Sequence, residues 1–503
     1  MSKIYPIIFS LIQKIMLVLM LHWLYTALKQ LQVLSSLALV IVLCLSFVGY
    51  IYRKHLSKLY AFLMRHKVAV MIGVIVYQLA MLLSAELLIR RDAAVVFTGA
   101  FRYLKDSSIS NYLTRNPNNL FLFLYERWFY HLFGESALWI LQALNIVYTD
   151  MTAIILYKGM KRYGSQVSAD AVYSLYLALL GFSPYFYSMY TDIWPLPLIA
   201  GQIFLIFALF EHQEKRKTVM LSLALGITSA AAYVIRPTTM ILLMAYVILL
   251  FFKGNWKRTV MILACFSLAF APMYLAQSYV KKNQQEVKIL DGEGLAKGPL
   301  LFINLGLTFI GHDQEDMKEG LLQYIEPDER ENYNNGMFAT ENVKKEIKRR
   351  LKEYTLLEFV NHLYYKHSLT VAEGTLGWLY RAVDKEKTPY ISPLYEQTKN
   401  NPVARFIRTY FLDIDKKEYV YYEIIKQVIW IVMSLGLVFA SLKYRGLDSI
   451  NLLLLAVFGG LLFLLIFEGG KTRYLIQFLP QILILSSLGL TDLRPSIFRK
   501  EEP

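Results

Sequence analysis

Apolar runs of about twenty residues recur along almost the whole chain, and nothing else in the sequence restricts its fold as strongly. A helix needs roughly 20 mainly apolar residues to cross the hydrocarbon core of a bilayer. Twelve stretches meet or approach that length: 5–27, 31–52, 67–88, 137–158, 170–189, 193–212, 218–235, 238–252, 259–278, 427–444, 449–467 and 475–490. The first contains Lys14, and 238–252 needs its flanks to span. Of the 503 residues, 56% are hydrophobic and 18% charged, with a mean hydropathy of +0.39; soluble chains carry about 25% charged residues. This balance excludes intrinsic disorder, a collagen-like repeat and a disulfide scaffold, and the expected class is an all-α polytopic membrane protein. Cys44 and Cys265 both lie inside apolar runs, away from any Cys/His spacing suited to zinc.

The formal charge is +15, and its distribution decides its meaning. Residues 279–426, the one long hydrophilic stretch, hold 22 Lys and Arg against 23 Asp and Glu, so that stretch is nearly neutral. The excess cations lie in short loops: Arg53, Lys54, Lys58, Arg65 and Lys67; Lys158, Lys161 and Arg162; Lys215–Lys217; Lys253, Lys257 and Arg258; Lys443 and Arg445; and Arg494, Arg499 and Lys500. All six clusters share one side if twelve spans alternate, and the positive-inside rule makes that side the cytoplasm, with both termini there. A multi-pass cell-membrane protein with no nucleic-acid partner is expected.

Residues 5–27 read as an anchor, because no small-residue cleavage site precedes the next apolar run. Residues 1–60 then form an amino-terminal hairpin and 61–278 a membrane core. The first outer loop of that core, 89–136, is expected to contain a helix lying at the outer surface in NLFLFLYERWFYHLFG, with a thirteenth, partly inserted span as the rival reading. Residues 279–426 are expected to make a small, mostly helical extracytoplasmic domain, with an amphipathic helix in ENVKKEIKRRLKEYTLLEFVNHLYYK, and 427–503 the carboxy-terminal spans and tail. No internal repeat is evident, which gives inverted-repeat transporter architecture no support.

Charges held at the outer boundary against the prevailing bias are candidates for chemistry. Arg90, Arg91 and Asp92 close one span; Arg236 sits in the turn IRPTT; Glu468, Lys471 and Arg473 sit in FEGGKTRYL. Phosphate at a membrane surface calls for cations, Arg above all for its forked donors, and group transfer to a hydroxyl calls for a base. Asp92 with Arg236, Lys471 and Arg473 supplies both. Plainer readings stand beside these: Asp92 as a helix cap, Arg236 as a snorkelling anchor, Asp192 as a second site carboxylate or the cap of the next span. Asp150 and Glu86 read as hydrogen-bonded buried acids. His312, Asp313, Glu315 and Asp316 in GHDQED read as a solvated turn or a loose divalent-cation site, His362 and His367 as structural, and KKEIKRR as a solvated face or a contact with anionic headgroups or acceptor.

The ordered motifs RRDAAVVFTGAF, RNPNNLFLFLYERWFYHLFG, SPYFYSMYTDIWPLP, RPTTMILL and GGKTRYLIQFLPQILILSSLGL resemble the family-39-type C-class (GT-C) glycosyltransferases. These include the protein O-mannosyltransferases and the lipid A aminoarabinose transferase, and the likeness is strongest to a Gram-positive branch. It runs from about residue 67 to 490, which leaves the first two spans as an addition. The resemblance implies a GT-C-like bundle of about twelve helices that transfers a sugar from a polyprenyl-phosphate carrier, with inversion, to an extracytoplasmic acceptor. It places the base at Asp92 and the donor-phosphate cations at Arg236, Lys471 and Arg473, with Arg91, Asn118, Asp192 and Glu468 as further substrate-binding candidates. Where the mannosyltransferases pair their aspartate with an adjacent glutamate, this chain has Ala93, so a protein acceptor is not implied. No cofactor is specified, and a divalent cation is left open. The chain has no GxxxxGK[ST] phosphate cradle, in keeping with a lipid-linked donor. The alternatives are a lipid-linked sugar flippase or exporter, disfavoured because ionisable residues within the spans are few, and a glycan ligase or polymerase.

Overall fold

The computed structural model describes residues 4–308, 313–378, 383–385, 389–443, 446–468 and 470–491. His312, Arg445, Arg494, Arg499 and Lys500 lie outside the described residues.

The amino-terminal apolar run forms α1 (Ile4–Leu34), and Ser35 caps α2 (Ser36–Ile51) by accepting from the Ala38 amide. The basic cluster after it is itself a helix, α3 (Arg53–Arg65), turned 90° from α2. Its cations alternate with exposed Leu56, Leu59 and Phe62, the pattern of a helix lying in a headgroup layer. The next span, α4 (Lys67–Ser84), ends four residues short of its apolar run because the chain extends into β1 (Leu87–Ile89).

α5 (Arg91–Ala100) and α6 (Asp106–Arg115) precede the aromatic α7 (Leu120–Phe133). Gly134, at φ +56°, breaks the path before α8 (Ala137–Tyr163), a conformation that glycine adopts without a Cβ clash. α9 (Gln166–Tyr176) continues through a π turn, Leu177–Gly181, and the chain then runs irregularly to α10 (Leu196–Glu211). After α11 (Lys215–Ile235), α12 (Ile241–Lys253) and α13 (Trp256–Asn283), the 279–426 segment contributes α14 (Pro299–Gly306), α15 (Gln314–Leu322), α16 (Thr340–Glu353) and α17 (Leu356–Val371). It goes on through β2 (Tyr390–Ile391), α18 (Tyr395–Thr398) and α19 (Pro402–Ile407). α20 (Tyr419–Lys443), α21 (Asp448–Phe463) and α22 (Leu479–Leu490) complete the described chain.

Among the described residues, eight helical stretches can cross a membrane by length and composition, or nine if α2 and α3 form one bent span. All twelve apolar runs are helical in part, but several fall short of a full crossing. α10 has 16 residues, about 24 Å against a core of about 30 Å. The 170–189 run leaves helical geometry at Gly181, before Pro184. Conversely, Pro117–Tyr163 forms one 47-residue apolar helical stretch despite its break, so the surface-helix segment and the following span count as one.

The first helix is not peripheral to the bundle. The Trp23 and Trp430 rings pack tilted with centroids 5.3 Å apart, Gln427 donates to the Ala27 carbonyl at 2.8 Å, and His22 meets His367 of α17 at 2.7 Å. Within 279–426, Leu301, Leu305, Met317, Leu321, Met337, Phe338 and Val343 form a separate small core. Arg349 and Arg350 of KKEIKRR converge on the buried Glu346, and Arg350 also pairs with Asp316 at 2.7 Å. Asp313 accepts from the Glu315 and Asp316 amides, so the acids of GHDQED serve caps and ion pairs. Asp150 accepts from Gln78 at 3.1 Å.

The bundle has two chemically distinct ends. At one, Lys253 and Tyr5 share Asp448, Arg162 meets Glu211, and Arg258 caps the end of α10 at the His212 carbonyl. Asp448–Glu468, about 30 Å of helix, leads from there to the other end, where Glu468, Lys471 and Arg473 stand.

Candidate active site

At that second end four segments distant in sequence, 90–93, 185–192, 369–377 and 470–474, together with Gln314 of α15, line a cavity of about 480 Å³. β1 carries the first: Leu87 and Ile89 pair antiparallel with Ile391 and Tyr390 of β2, which delivers Arg90, Arg91 and Asp92 to the start of α5. Asp92 lies in the first turn of α5, where the helix dipole favours a negative charge, and Arg90 holds the cap position. Arg90 stacks 4.3 Å over Trp378. The second segment leaves the π turn after α9, and Tyr185 ties it to the third by donating to the Leu376 carbonyl at 2.6 Å.

Backbone strain concentrates here. Among the described residues four non-glycine residues have left-handed φ; Arg91 (+53°) lines the cavity, and Met189 (+48°) and Leu376 (+58°) are each next in the chain to a residue that does. Each such conformation costs of order 1–3 kcal/mol and persists where surrounding packing over-determines it, commonly at functional sites.

Asp192 is the electrostatic hub. Only 3% exposed, it receives Arg236 Nη1 at 2.5 Å and Arg473 Nε at 3.5 Å. The N-cap of α10 is Pro195, so Asp192 serves as an ion-pair partner, not as a cap. The Tyr474 ring lies 5.9 Å from the Arg236 guanidinium and 5.4 Å from that of Arg473, and Tyr190 lies 5.7 Å from Arg473. Lys471 lines the cavity beside them. Burial, then the charge of Arg473, lowers its ammonium pKa from the ordinary lysine value, while Glu468 and Asp92 act in the opposite sense.

A hydrogen-bonded triad backs Asp92. Asn119 donates to Tyr112 Oη at 2.8 Å and accepts from Tyr190 at 3.1 Å, and Asp92 stands within charge interaction of both tyrosine hydroxyls. Burial and the Asp92 charge raise the Tyr112 pKa, so its hydroxyl keeps its proton. The loop before α14 closes over α6: Ser110 donates to the Lys288 carbonyl, Leu290 N to Thr114 at 3.0 Å, and Lys297 N to the Arg115 carbonyl at 3.0 Å. Lys297 is thereby brought within charge interaction of Asp92 and Glu468.

Of the residues singled out from sequence, Arg91, Asp92, Asp192, Lys471 and Arg473 line the cavity. Arg236 stands behind it through Asp192, and Glu468 flanks it through Tyr474. Asn118 is exposed and outside; its neighbour Asn119, 3% exposed, is the asparagine of the triad. Sequence reasoning passed over Tyr112, Asn119, Lys297 and Glu373. The PNN motif marked the place of Asn119 one residue off, and EGTLGW contained Glu373 without distinguishing it; burial holds the pKa of that carboxyl above the ordinary value. Nothing in the sequence around Lys297 pointed to the site. Among the described residues no three His, Cys, Asp or Glu side chains group closely enough to hold a metal ion.

A polar, cation-rich cavity at one end of an apolar helical bundle defines a membrane protein with a built polar site. The chain belongs to the family described as conserved hypothetical integral membrane protein, which matches residues 1–493. No curated protein matches it. Among solved structures it is similar to ArnT from Cupriavidus metallidurans in the apo state, at 13% identity and a TM-score of 0.33, over 85% of this chain and 78% of that one. It is also similar to the same protein bound to undecaprenyl phosphate, at 13% identity and a TM-score of 0.32, over 84% and 77%. At these values the likeness assigns no residue a role.

Proposed function

We propose that this protein is a membrane glycosyltransferase that moves a sugar from a polyprenyl-phosphate-linked donor to an extracytoplasmic acceptor, with inversion at the anomeric carbon. The observation that carries the reading is the meeting of the accessible Asp92 carboxylate with Lys471 and Arg473 in one cavity, with Arg236 held beside it by Asp192. In this reading the apolar helices belong to the membrane, the basic end faces the cytoplasm and the cavity faces outward.

The donor's isoprenoid tail lies in lipid while its phosphate meets Arg236, Lys471 and Arg473. The acceptor oxygen attacks the anomeric carbon and passes its proton to Asp92. The bond from that carbon to the phosphate oxygen breaks, and polyprenyl phosphate leaves with its charge stabilised by the cations in a water-poor site. The Tyr112 and Tyr190 hydroxyls face Asp92 electrostatically, and Arg91, Asp192 and Glu468 complete the polar surround.

The test is transfer of labelled sugar from a panel of polyprenyl-phosphate sugars to acceptors in membrane extract, with purified wild type and Asp92→Asn side by side. Transfer by wild type alone is the expected result. Donor binding without transfer, equal in both proteins, would overturn the enzyme reading in favour of a flippase.

A further inference from the structure

The turn that bears Lys471 and Arg473 is held mainly by a helix from the 279–426 segment. It begins as a π turn, Leu464–Glu468, which loosens the regular pattern of backbone bonding. Lys366, on α17 and 1% exposed, donates its ammonium protons to the Leu465 carbonyl in that π turn and, at 2.7 Å, to the Gly306 carbonyl at the end of α14. His362, one turn earlier on α17, meets the same Gly306 carbonyl at 2.9 Å. A Cβ built at position 306 would overlap the Ile466 carbonyl oxygen, so the close approach of α14 to the turn requires glycine. One turn after Lys366, Thr370 Oγ1 accepts from Gly470 N at 3.1 Å, and Thr472 donates back to the Leu369 carbonyl at 3.1 Å. Leu369 itself lines the cavity.

We propose that α17 is the positioning element of the cation turn, with Lys366 and Thr370 as the residues that set where Lys471 and Arg473 stand. They touch neither donor nor acceptor; they act through the turn. Loss of their bonds releases backbone groups that the π turn cannot satisfy internally. The charged group facing Lys366 is Glu468, which favours the ammonium against the burial that lowers its pKa to about 8. At neutral pH the residue therefore remains a charged donor. That the displaced turn weakens donor binding rests on the reading of Lys471 and Arg473 as phosphate ligands; that the turn is displaced does not.

The experiment is hydrogen–deuterium exchange on full-length protein in detergent, paired with binding of a polyprenyl phosphate, for wild type, Lys366→Met, Thr370→Val and Thr370→Ser. Exchange across 464–474 is expected to rise at least tenfold in Lys366→Met and Thr370→Val, with 91–100 unchanged, and affinity is expected to fall five- to fiftyfold. Thr370→Ser, which keeps the hydroxyl, is expected to return both to wild-type values. Unchanged exchange across 464–474 overturns the proposal, and Thr370→Val, nearly isosteric, decides this even if Lys366→Met does not fold. An even rise throughout the protein with unaltered affinity overturns it as well, since that marks general loosening. Raised local exchange in a protein whose wild type binds no polyprenyl phosphate would sustain the positioning role and remove the donor reading.

Discussion

Asp192 and Arg236 are 44 positions apart in the chain and 2.5 Å apart in the fold. The pair is nearly dry, with side-chain exposures of 4% and 15%, and Arg473 approaches the same carboxylate from the opposite end of the sequence. One buried acid thus gathers two cations that no local interaction would bring together. It also competes with any phosphate for them, which lets donor binding be read as an exchange of one anionic partner for another.

Removing that acid should separate stability from affinity. Asp192→Asn leaves two guanidinium groups with an uncompensated charge, and breaking a buried pair from one side costs roughly 3–5 kcal/mol. Thermal unfolding should fall by several degrees, and added polyprenyl phosphate should restore more of the loss than it adds to wild type. An unaltered melting temperature would contradict the role of Asp192 as hub.

Asp92→Asn preserves shape and removes the proposed base. Transfer is expected to fall by about 10²–10⁴-fold, with polyprenyl phosphate affinity within about threefold of wild type because the cations are untouched. Single-turnover transfer and equilibrium binding measure the two separately.

Arg236→Ala should show the converse. A hydrogen bond to a charged group contributes about 1.5–3 kcal/mol, so polyprenyl phosphate affinity should drop by roughly 10- to 150-fold. Arg236→Lys should recover part of it, since it restores charge without the fork. Equal affinities in all three proteins would remove Arg236 from the phosphate site.

The two asparagines of PNN make a direct contrast. Asn119→Leu strips the partner from the Tyr112 and Tyr190 hydroxyls, at about 1–3 kcal/mol of stability for buried groups left unsatisfied, and should slow transfer. Asn118→Leu, at an exposed position, should alter neither. Melting curves and initial rates of both variants check this.

The lowered pKa of Lys471 carries a sign for pH dependence. Its charged form, present below its pKa, is the form that attracts phosphate. Polyprenyl phosphate affinity should therefore weaken with rising pH before an ordinary lysine, near pH 10.4, would deprotonate. Lys471→Arg should shift the decline upward, because guanidinium stays charged throughout that range. Binding isotherms from pH 7 to 10 measure it.

How much of this could be read from residues alone differs by level. Apolar runs such as 449–467 and 427–444 announced α21 and α20, because burial of a helix in lipid depends on local composition. Charges kept at the boundary against the bias marked Arg90, Arg91, Asp92, Arg236, Glu468, Lys471 and Arg473 as candidates, because such placement costs free energy wherever the chain folds. The helix ends did not follow from composition. β1 replaces the last turn of α4 because Leu87 and Ile89 find strand partners in β2, some 300 residues away. The 170–189 run stops at Gly181, where a π turn sends the chain into the cavity wall. The sequence by itself determined the solvent each segment prefers and the charges it carries, since those are properties of residues. Only the tertiary structure decided that Asn119 and not Asn118 backs Asp92, that α1 belongs to the bundle, and that Lys366 of a hydrophilic segment holds the cation turn. Those depend on which surfaces meet, and the contacts concerned span dozens to hundreds of positions along the chain.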